Sequence, residues 1–118
     1  ILYGETKFPQ NLINAFDINV ISSISESSPL VLLEAMASGV PTLATNVGEI
    51  RNIMGKTGWI VKNKSSKELA EKLKFIIKNK GTLNEKSLLT RKIISKKYSQ
   101  SEMLKKYNLT YNLYLKKK

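Results

Sequence analysis

The sequence predicts an α/β fold, in which a Rossmann-like parallel sheet has flanking helices and the C-terminal third is helical. Short apolar runs rich in β-branched residues alternate with helical segments through the first half, as is typical of buried parallel strands. The second half carries three helix-start signals and no further strand pattern. The 118 residues suffice for one small domain. Because the sequence opens on an apolar run at Ile1, we expect it to be the C-terminal part of a longer protein.

Four apolar runs are predicted to be strands, because each is bounded by glycine, proline or serine and most are β-branched. The short spacing of strand and helix patterns favours right-handed crossovers within one layered sheet. Trp59, inside the last run, is expected in the core rather than on a binding surface. The four runs are “ILY”, “INVIS”, “TLAT” and “WIV”, at residues 1–3, 18–22, 42–45 and 59–61.

Helices are predicted between the strands and through the second half. Ser65, Thr82 and Ser99 each precede a Glu by three positions, which is the spacing of a capping box. Helices should therefore begin at these three points, and Gly81 should end the first of them. Between the strands, the predicted helices cover residues 9–16, 29–38 and 49–54.

Apolar residues at helical spacing predict the face of each later helix that packs inward. The tyrosines of the last helix are expected to pack against the sheet layer, and the lysine-rich residues 116–118 to fray. The predicted faces are Leu69, Leu73, Ile76 and Ile77, then Leu88, Leu89, Ile93 and Ile94, then Met103, Leu104, Tyr107, Tyr111, Tyr114 and Leu115.

The composition excludes several kinds of chemistry. The chain contains no Cys and no His, so disulfides, thiolate nucleophiles, imidazole bases and the commonest metal ligands are all absent. We therefore expect no metal site and chemistry carried by carboxylates, amines, hydroxyls and backbone N–H groups. No apolar run approaches the ~20 residues that a membrane span requires. The lack of Cys fits a reducing compartment, and we expect a cytoplasmic protein.

The net charge of +11 is concentrated in the second half. Residues 1–58 carry three cations and five acids, and residues 59–118 carry seventeen cations and four acids. All the cations except Arg51 and Arg91 are lysines, whereas proteins that read nucleic acids favour the bidentate guanidinium. We expect a solvated basic face, with an anionic membrane surface as the second interpretation and nucleic acid as the third.

The stretch “ESSPLVLLEAMASGVP” (residues 26–41) points to an anion site. Ser28 is expected to cap a helix whose first residue is Pro29, which has no N–H to leave unpaired. No Glu follows Ser28 at the capping-box distance, so the N–H groups near Leu30 and Val31 remain free. Because this helix follows a strand of a parallel sheet, its N-terminus would lie at the carboxyl edge, where ligands of such sheets bind. Phosphate is the natural ligand.

Two carboxylates accompany this helix. Glu34 stands in a segment that is apolar almost all round, so we expect it to be buried and to require hydrogen-bond donors. Glu26 precedes the helix in a loop. Sugar and ribose hydroxyls are suitable donors, which favours a sugar–diphosphate–nucleoside ligand. A structural alternative stays open, in which Glu34 bonds a neighbouring loop and Glu26 is a solvated loop acid.

The segment “SISESSPLVLLEAMASGVPTLATNVGEI” resembles the nucleotide-sugar site of the retaining glycosyltransferases of family 4, which have the GT-B fold. That family has a Glu, seven residues and a second Glu in a Glu-Ala-Met-Ala run, followed by Gly-x-Pro; here these are Glu26, Glu34, Gly39 and Pro41. The flanks “FDINVISS”, “GKTGWIV” and “KYSQSEMLKKYNLTYNLY” are similar to further family segments, so the resemblance covers nearly the whole chain.

The resemblance implies roles for single residues. Glu26 would contact hydroxyls of the donor sugar and act in catalysis, and Glu34 would bind the ribose. The N–H groups of Leu30 and Val31, beside Ser28, would hold the diphosphate of a nucleotide-sugar donor. The implied reaction is glycosyl transfer with retention at the anomeric carbon. It requires no cofactor and no metal, because fixed dipoles and cations stabilise the leaving diphosphate.

The resemblance also implies what lies outside the chain. Residues 1–118 would form a partial donor domain, and the N-terminal domain that binds a saccharide or lipid-linked acceptor would be absent. The chain alone should then be inactive. In the family's strand order, two absent strands lie between the strands that match residues 1–3 and 18–22. We therefore expect the last three strands to pair in chain order, and residues 1–3 to lie detached or to occupy the vacant edge.

Some positions depart from the family pattern. Ser27, Ser28 and Pro29 stand where the family often has Gly-Phe-Gly, and the proline removes one backbone donor. Arg51 and Asn52 replace a common Pro-Glu pair and receive no role; the preceding residues, Gly48 and Glu49, are secondary candidates for donor contact. Two alternatives remain: a GT-B-like sugar-nucleotide epimerase, and a non-catalytic basic module that binds nucleic acid or membrane.

Overall fold

The computed structural model describes residues 1–115 and confirms the predicted α/β fold with a helical C-terminal part. Three parallel strands form a sheet between helices, and three longer helices follow. In chain order the elements are α1 (Pro9–Ile13), β1 (Asn19–Ile21), α2 (Leu30–Ala37), β2 (Thr42–Thr45), α3 (Ile50–Met54), β3 (Trp59–Val61), α4 (Ser66–Lys78), α5 (Gly81–Lys97) and α6 (Gln100–Leu115).

The sheet has the order β1-β2-β3, so the prediction that the last three strands pair in chain order is confirmed. The register places Ile21 of β1 beside Ala44 of β2, and Ala44 beside Ile60 of β3. All four residues of the central strand β2 are buried, because helices cover both faces of the sheet.

The first apolar run does not form a strand. Residues 1–8 contain no helix or strand, and Ile1 and Leu2 are fully exposed. Of the two expected outcomes, the run therefore lies detached, and the outer edge of β1 has no neighbouring strand within residues 1–115. Val20, in the middle of that edge strand, is 41% exposed.

Hydrophobic clusters fill the space on both faces of the sheet. Side chains of α2 and α3 form the first cluster with β1 and β2, and its largest buried members include Leu32, Met36 and Ile50. Leu43, on the opposite face of β2, packs with α4 through Ile76, and Trp59 packs at the margin of this second cluster as predicted. Alternate residues of one strand thus supply two separate cores.

The helix α2 ends in a Schellman motif at Gly39, the glycine of the Gly-x-Pro run. The N–H of Gly39 donates to Met36 O at 3.0 Å, and the N–H of Val40 donates to Ala35 O at 2.8 Å. Val40 also packs against Ala35, the apolar contact that accompanies this motif. The guanidinium of Arg91 in α5 donates to Ser38 O at 3.1 Å and so ties α5 to the same helix end.

Two of the three predicted helix starts are confirmed and one is wrong. Ser65 and Ser99 each accept a hydrogen bond from the N–H of the Glu three residues later. Thr82 caps nothing, since α5 already begins at Gly81 and the Thr82 hydroxyl donates to Asn79 O. The cause is that α4 already ends at Lys78, and the N–H of Asn79 donates to the carbonyls of Phe75 and Ile76 in its last turn. Gly81 is therefore the first residue of α5 and not the end of α4.

The predicted packing of the last three helices is partly wrong. Ile77 of α4 is 57% exposed although it was predicted on the packing face. Residue Leu88 of α5 is 74% exposed, because α5 contacts the core through Ile93 and Ile94. No described residue of α6 is buried, and Tyr107 and Tyr111 stack on each other rather than on the sheet layer. The described chain is elongated, with extents of 58 × 30 × 29 Å. The predicted fraying of residues 116–118 falls outside the described residues.

Shorter helices differ at their ends from the predicted ranges. The first ends at Ile13 rather than at residue 16, and α3 begins at Ile50, one residue late. Among residues 1–115, no helix has the length and apolar character needed to cross a membrane.

Gly39→Ala is expected to lower the free energy of unfolding by about 2–3 kcal/mol. A side chain at φ +73° is strained, and its Cβ would stand 2.0 Å from Nε of Arg91, so that the bond to Ser38 would be displaced. The matched control is Gly39→Ala in the Arg91→Ala background, where only the strain of a side chain at positive φ remains, so about 1–2 kcal/mol is expected. Urea denaturation measures both.

The Arg91→Ala background separates the two contributions. There, Gly39→Ala should cost less than in the wild-type background, since the side chain that obstructs the new Cβ is gone. Equal losses for Gly39→Ala in the wild-type and Arg91→Ala backgrounds would contradict the proposed contact.

Candidate functional site

The candidate site lies at the carboxyl edge of the sheet, where the segments that follow β1, β2 and β3 meet. Ligands of parallel α/β sheets bind at this edge, because the loops that leave the strands converge there. The loop between β1 and α2, residues 22–28, contains the first predicted site carboxylate, and we call it the Glu26 loop. It leads directly into the helix that carries the other predicted site residues.

The Glu26 loop is held at three of its backbone carbonyls by groups from the next two strand ends. The hydroxyl of Thr45, the last residue of β2, donates to Ser23 O at 2.6 Å. The side-chain amide of Asn63, just after β3, donates to Ile24 O at 2.8 Å. The N–H of Glu49 donates to Ser27 O at 2.9 Å. The loop is therefore fixed although it has no regular secondary structure.

Gly48 allows the chain after β2 to reach the Glu26 loop. It has φ +50°, and a Cβ at this position would stand 2.1 Å from Glu26 O and 2.5 Å from Ser27 O. Only glycine tolerates both the conformation and the close approach. Gly48 thus contacts the backbone of the Glu26 loop. The Glu49 carboxylate accepts a hydrogen bond from Asn52 Nδ2 at 2.8 Å. Their secondary role in donor contact stays a prediction.

Glu26 is half-buried and has a defined partner. Its Oε1 accepts a hydrogen bond from Ser23 Oγ at 2.8 Å, within the same loop. A carboxylate has room for about four hydrogen bonds, so one bond leaves the group free to accept others. The arrangement differs from that of a freely solvated loop acid, because the carboxylate has a preferred position.

The helix α2 begins one residue later than predicted. Its first residue is Leu30, and Pro29 is the N-cap with ψ 120°, so the prediction that Ser28 caps a helix starting at Pro29 is wrong. Pro29 is buried and has an extended backbone conformation, and Ser28 is exposed. Proline fits the N-cap as well as the first helical position, because it has no N–H to leave unpaired at either one. No side chain caps this end of α2. The dipole of the helix and its first N–H groups therefore face the edge of the sheet without a side-chain acceptor.

Glu34 is exposed, so the expectation that it is buried is wrong. Only one side of α2, with Leu32, Ala35 and Met36, packs into the core. The other side carries Glu34 together with Leu30 and Val31, which are 72% and 42% exposed. The apolar composition of α2 misled the prediction, because apolar residues occupy both its buried and its open side.

The open side of α2 combines three kinds of group. Leu30 and Glu34 are four residues apart and therefore neighbours on the helix surface. The first N–H groups lie one turn nearer the N-terminus than Glu34. An exposed apolar side chain, free backbone donors and a carboxylate acceptor on one short helix can contact the apolar, anionic and hydroxyl parts of a single ligand.

Cations also lie at the carboxyl edge. Arg51, in α3, is exposed and donates through Nε to Asn46 Oδ1 at 3.1 Å. Lys62 follows β3 and lies 3.9 Å from Glu68, whose other oxygen accepts from the N–H of Lys62. Within residues 1–115, no three Asp or Glu side chains cluster as a metal site would require. Arg51 and Lys62 thus add positive charge at the edge that the start of α2 faces.

Sequence reasoning missed three residues that build the site. Ser23, Thr45 and Asn63 hold the Glu26 loop, yet none of them was named as a candidate site residue. Each is a polar residue at or just after the end of a parallel strand, and this position is the signal that could have identified them. A cavity of about 230 Å³ beside the loop is lined in part by Ser22, Ile24 and Thr45.

A larger cavity lies away from this edge. It has a volume of about 390 Å³ and adjoins Pro41, which precedes β2, so it opens at the amino edge of the sheet. Its lining includes Asp17, Lys80 and Asn84 but none of the predicted site residues. The position in the fold, rather than cavity size, identifies the site.

Known proteins resemble this chain along almost its full length. A family model described as glycosyl transferases group 1 matches residues 1–100. The capsular polysaccharide biosynthesis glycosyltransferase CapM of Staphylococcus aureus is 29% identical over 118 residues, which is 98% of this chain and 31% of the relative. The N-acetyl-alpha-D-glucosaminyl L-malate synthase of Bacillus anthracis is 28% identical over 94% of this chain and 30% of its own length. The chain spans less than a third of these relatives.

A solved structure shares the fold. TarM superimposes with a TM-score of 0.80 at 27% identity, over 92% of this chain and 22% of that structure. Since the family model covers most of the chain, and the solved neighbour has the GT-B fold, the chain belongs to the glycosyl transferases group 1 family.

Proposed function

We propose that the protein transfers a glycosyl group from a nucleotide-diphosphate sugar to an acceptor with retention of the anomeric configuration. Residues 1–118 would supply part of the donor site. One observation carries the proposal: the uncapped start of α2 lies between the braced Glu26 loop and the exposed Glu34, at the carboxyl edge of a parallel sheet. Membership of the glycosyl transferases group 1 family supports the reaction type.

The diphosphate would bind at the start of α2. The N–H groups of Leu30 and Val31 point out of a helix end that no side chain caps, and the helix dipole favours an anion there. Ser28 is exposed immediately before this end and adds a hydroxyl that can donate to phosphate. The buried Pro29 has no N–H, so the donors come from the residues on either side of it.

The two carboxylates would accept hydrogen bonds from the two sugars of the donor. Glu34 lies about one turn beyond the phosphate-binding N–H groups, a position suited to the ribose. Glu26 lies on the loop side of the same N–H groups, where the transferred sugar would be. Glu34, which is exposed, would bind the ribose. Glu26, which is held by the hydroxyl of Ser23, would contact the sugar that reacts.

Catalysis would be electrostatic and positional. As the glycosidic bond breaks, negative charge accumulates on the leaving diphosphate, and the helix end and nearby cations stabilise it. Glu26 would hold the sugar hydroxyls in the orientation of the transition state, which makes it the proposed catalytic residue. These roles need no imidazole and no thiol, and the chain contains neither. We propose no cofactor and no metal in this reaction.

The rest of the proposal concerns the whole protein. We assign it to the retaining family 4 of glycosyltransferases, with an N-terminal domain that binds a saccharide or lipid-linked acceptor in the cytoplasm. The basic second half would face solvent or the inner surface of the membrane. An epimerase would share the same donor site, and transfer to an acceptor distinguishes the two reactions.

Glu34→Ala in the full-length protein is expected to raise KM for the nucleotide sugar about tenfold and to leave kcat within about twofold, because ribose contacts act equally on the ground and transition states. Glu26→Ala should lower kcat about a hundredfold with a small change in KM, because its contacts strengthen in the transition state. Steady-state kinetics with the natural donor and acceptor measure both.

Glu85→Ala, an exposed acid on α5, is the matched control for these variants and should leave both constants unchanged. Wild-type kcat and KM in the Glu26 and Glu34 variants would overturn the assignment of the donor site.

Residues 1–118 alone are expected to bind nucleoside diphosphates but to transfer no sugar, since the acceptor-binding part lies outside them. Isothermal titration with UDP, GDP and ADP measures binding, and mass spectrometry of the acceptor measures transfer. Glycosyl transfer by the isolated monomeric chain would show that the donor and acceptor sites both lie within it.

The basic second half is expected to show no sequence-specific recognition of nucleic acid, because lysines dominate and no reading motif is present. Any binding should fall steeply with salt, since release of counterions drives it. A gel-shift at about 150 mM salt is the measurement. Nanomolar preference for one sequence would favour the nucleic-acid module over the glycosyltransferase.

A further inference from the structure

Ser23 connects the buried core of the sheet to the proposed catalytic carboxylate. Its hydroxyl donates to Glu26 Oε1 at 2.8 Å, and its own carbonyl accepts from the Thr45 hydroxyl at 2.6 Å. Thr45 is only 5% exposed and belongs to β2, the central strand. A continuous path of two hydrogen bonds therefore runs from the most buried strand to Glu26.

We propose that Ser23 is a positioning residue, which orients the Glu26 carboxylate toward the donor sugar. The inference rests on the proposed function, because it assigns to Ser23 an effect on the reaction that passes through Glu26. Ser23 does not itself contact the donor in this proposal. Its hydroxyl has one proton, and the bond to Glu26 uses it.

The bond matters because a glutamate side chain is otherwise free to rotate. Fixing a Glu side chain costs conformational free energy, and a group that is already oriented avoids this cost when the donor binds. The bond at Oε1 leaves Oε2 and the remaining lone pairs for sugar hydroxyls. Small errors in the position of such a group lower the rate strongly, since orbital and hydrogen-bond alignment are lost.

The backbone of Ser23 cannot easily shift to relax this bond. Thr45 holds the Ser23 carbonyl, and Asn63 holds the next carbonyl, that of Ile24, from the segment after β3. Ser23 itself is half-buried. The hydroxyl is thus supported from two directions by neighbouring strand ends, as a positioning group requires.

A purely structural role for the Ser23–Glu26 bond makes a different prediction. The two residues are three apart, so the bond would then only close the loop, and its loss would lower stability without a selective effect on turnover. The experiment therefore needs a readout that separates the chemistry of the reaction from the folding of the loop.

The test uses the full-length protein with Ser23→Ala, Ser23→Thr and the control Ser25→Ala, an exposed serine of the same loop. Ser23→Ala is expected to lower kcat about tenfold, the effect of one hydrogen bond to a charged group, with KM for the donor changed less than about twofold. Ser23→Thr keeps the hydroxyl and should restore most of kcat. Ser25→Ala should match the wild type.

Combination with Glu26→Ala decides whether Ser23 acts through Glu26. In that background Ser23→Ala should have no further effect on kcat, because its target is gone. A further tenfold loss there, or failure of threonine to rescue, would overturn the positioning role. So would wild-type kcat for Ser23→Ala, whether or not the melting temperature falls. Wild-type kcat for Glu26→Ala is a separate outcome, which overturns the proposed function and this inference together.

Discussion

The central strand β2 is the constraint on which the site depends. All its residues are buried, and it pairs in parallel with β1 on one side and β3 on the other. Parallel pairing brings the carboxyl ends of all three strands to one edge, so that the segments after them meet. Three hydrogen bonds, from the last residue of β2 and from the segments after β2 and β3, then fix a loop that has no regular structure of its own. The position of Glu26 is therefore a consequence of strand pairing.

The two ends of α2 have opposite roles. At its C-terminus the Schellman bonds of Gly39 and Val40 and the guanidinium of Arg91 satisfy backbone carbonyls, so this end is anchored to the fold. At its N-terminus no side chain satisfies the first N–H groups, so this end keeps its capacity to bind an anion. Stability and ligand binding are thus divided between the two ends of one eight-residue helix.

Local signals in the sequence predicted what depends on local structure. The β-branched runs located β1, β2 and β3, and Ser65 and Ser99 located two helix starts, because these features need only neighbouring residues. The burial of a side chain depends on which distant segment packs over it, and a local sequence pattern carries no information about that segment. The tyrosines of α6 have the spacing of a packing face, yet nothing within residues 1–115 covers it. The prediction that Glu34 is buried was wrong for the same reason, since apolar residues also occupy the exposed side of α2.

The residues around Glu26 depend on register, which no short motif encodes. Ile21 pairs with Ala44, and this register places Thr45 where its hydroxyl reaches Ser23 O. A shift of one residue would turn the Thr45 side chain to the other face of the sheet. The Glu26 loop would then lose one of its three supports although every residue of the motif “ESSPLVLLEAMA” remained the same. The motif identifies Glu26 as a candidate site residue. The register determines the position of its carboxylate, and the packing of Leu43 and Ala44 on opposite faces of the sheet fixes that register.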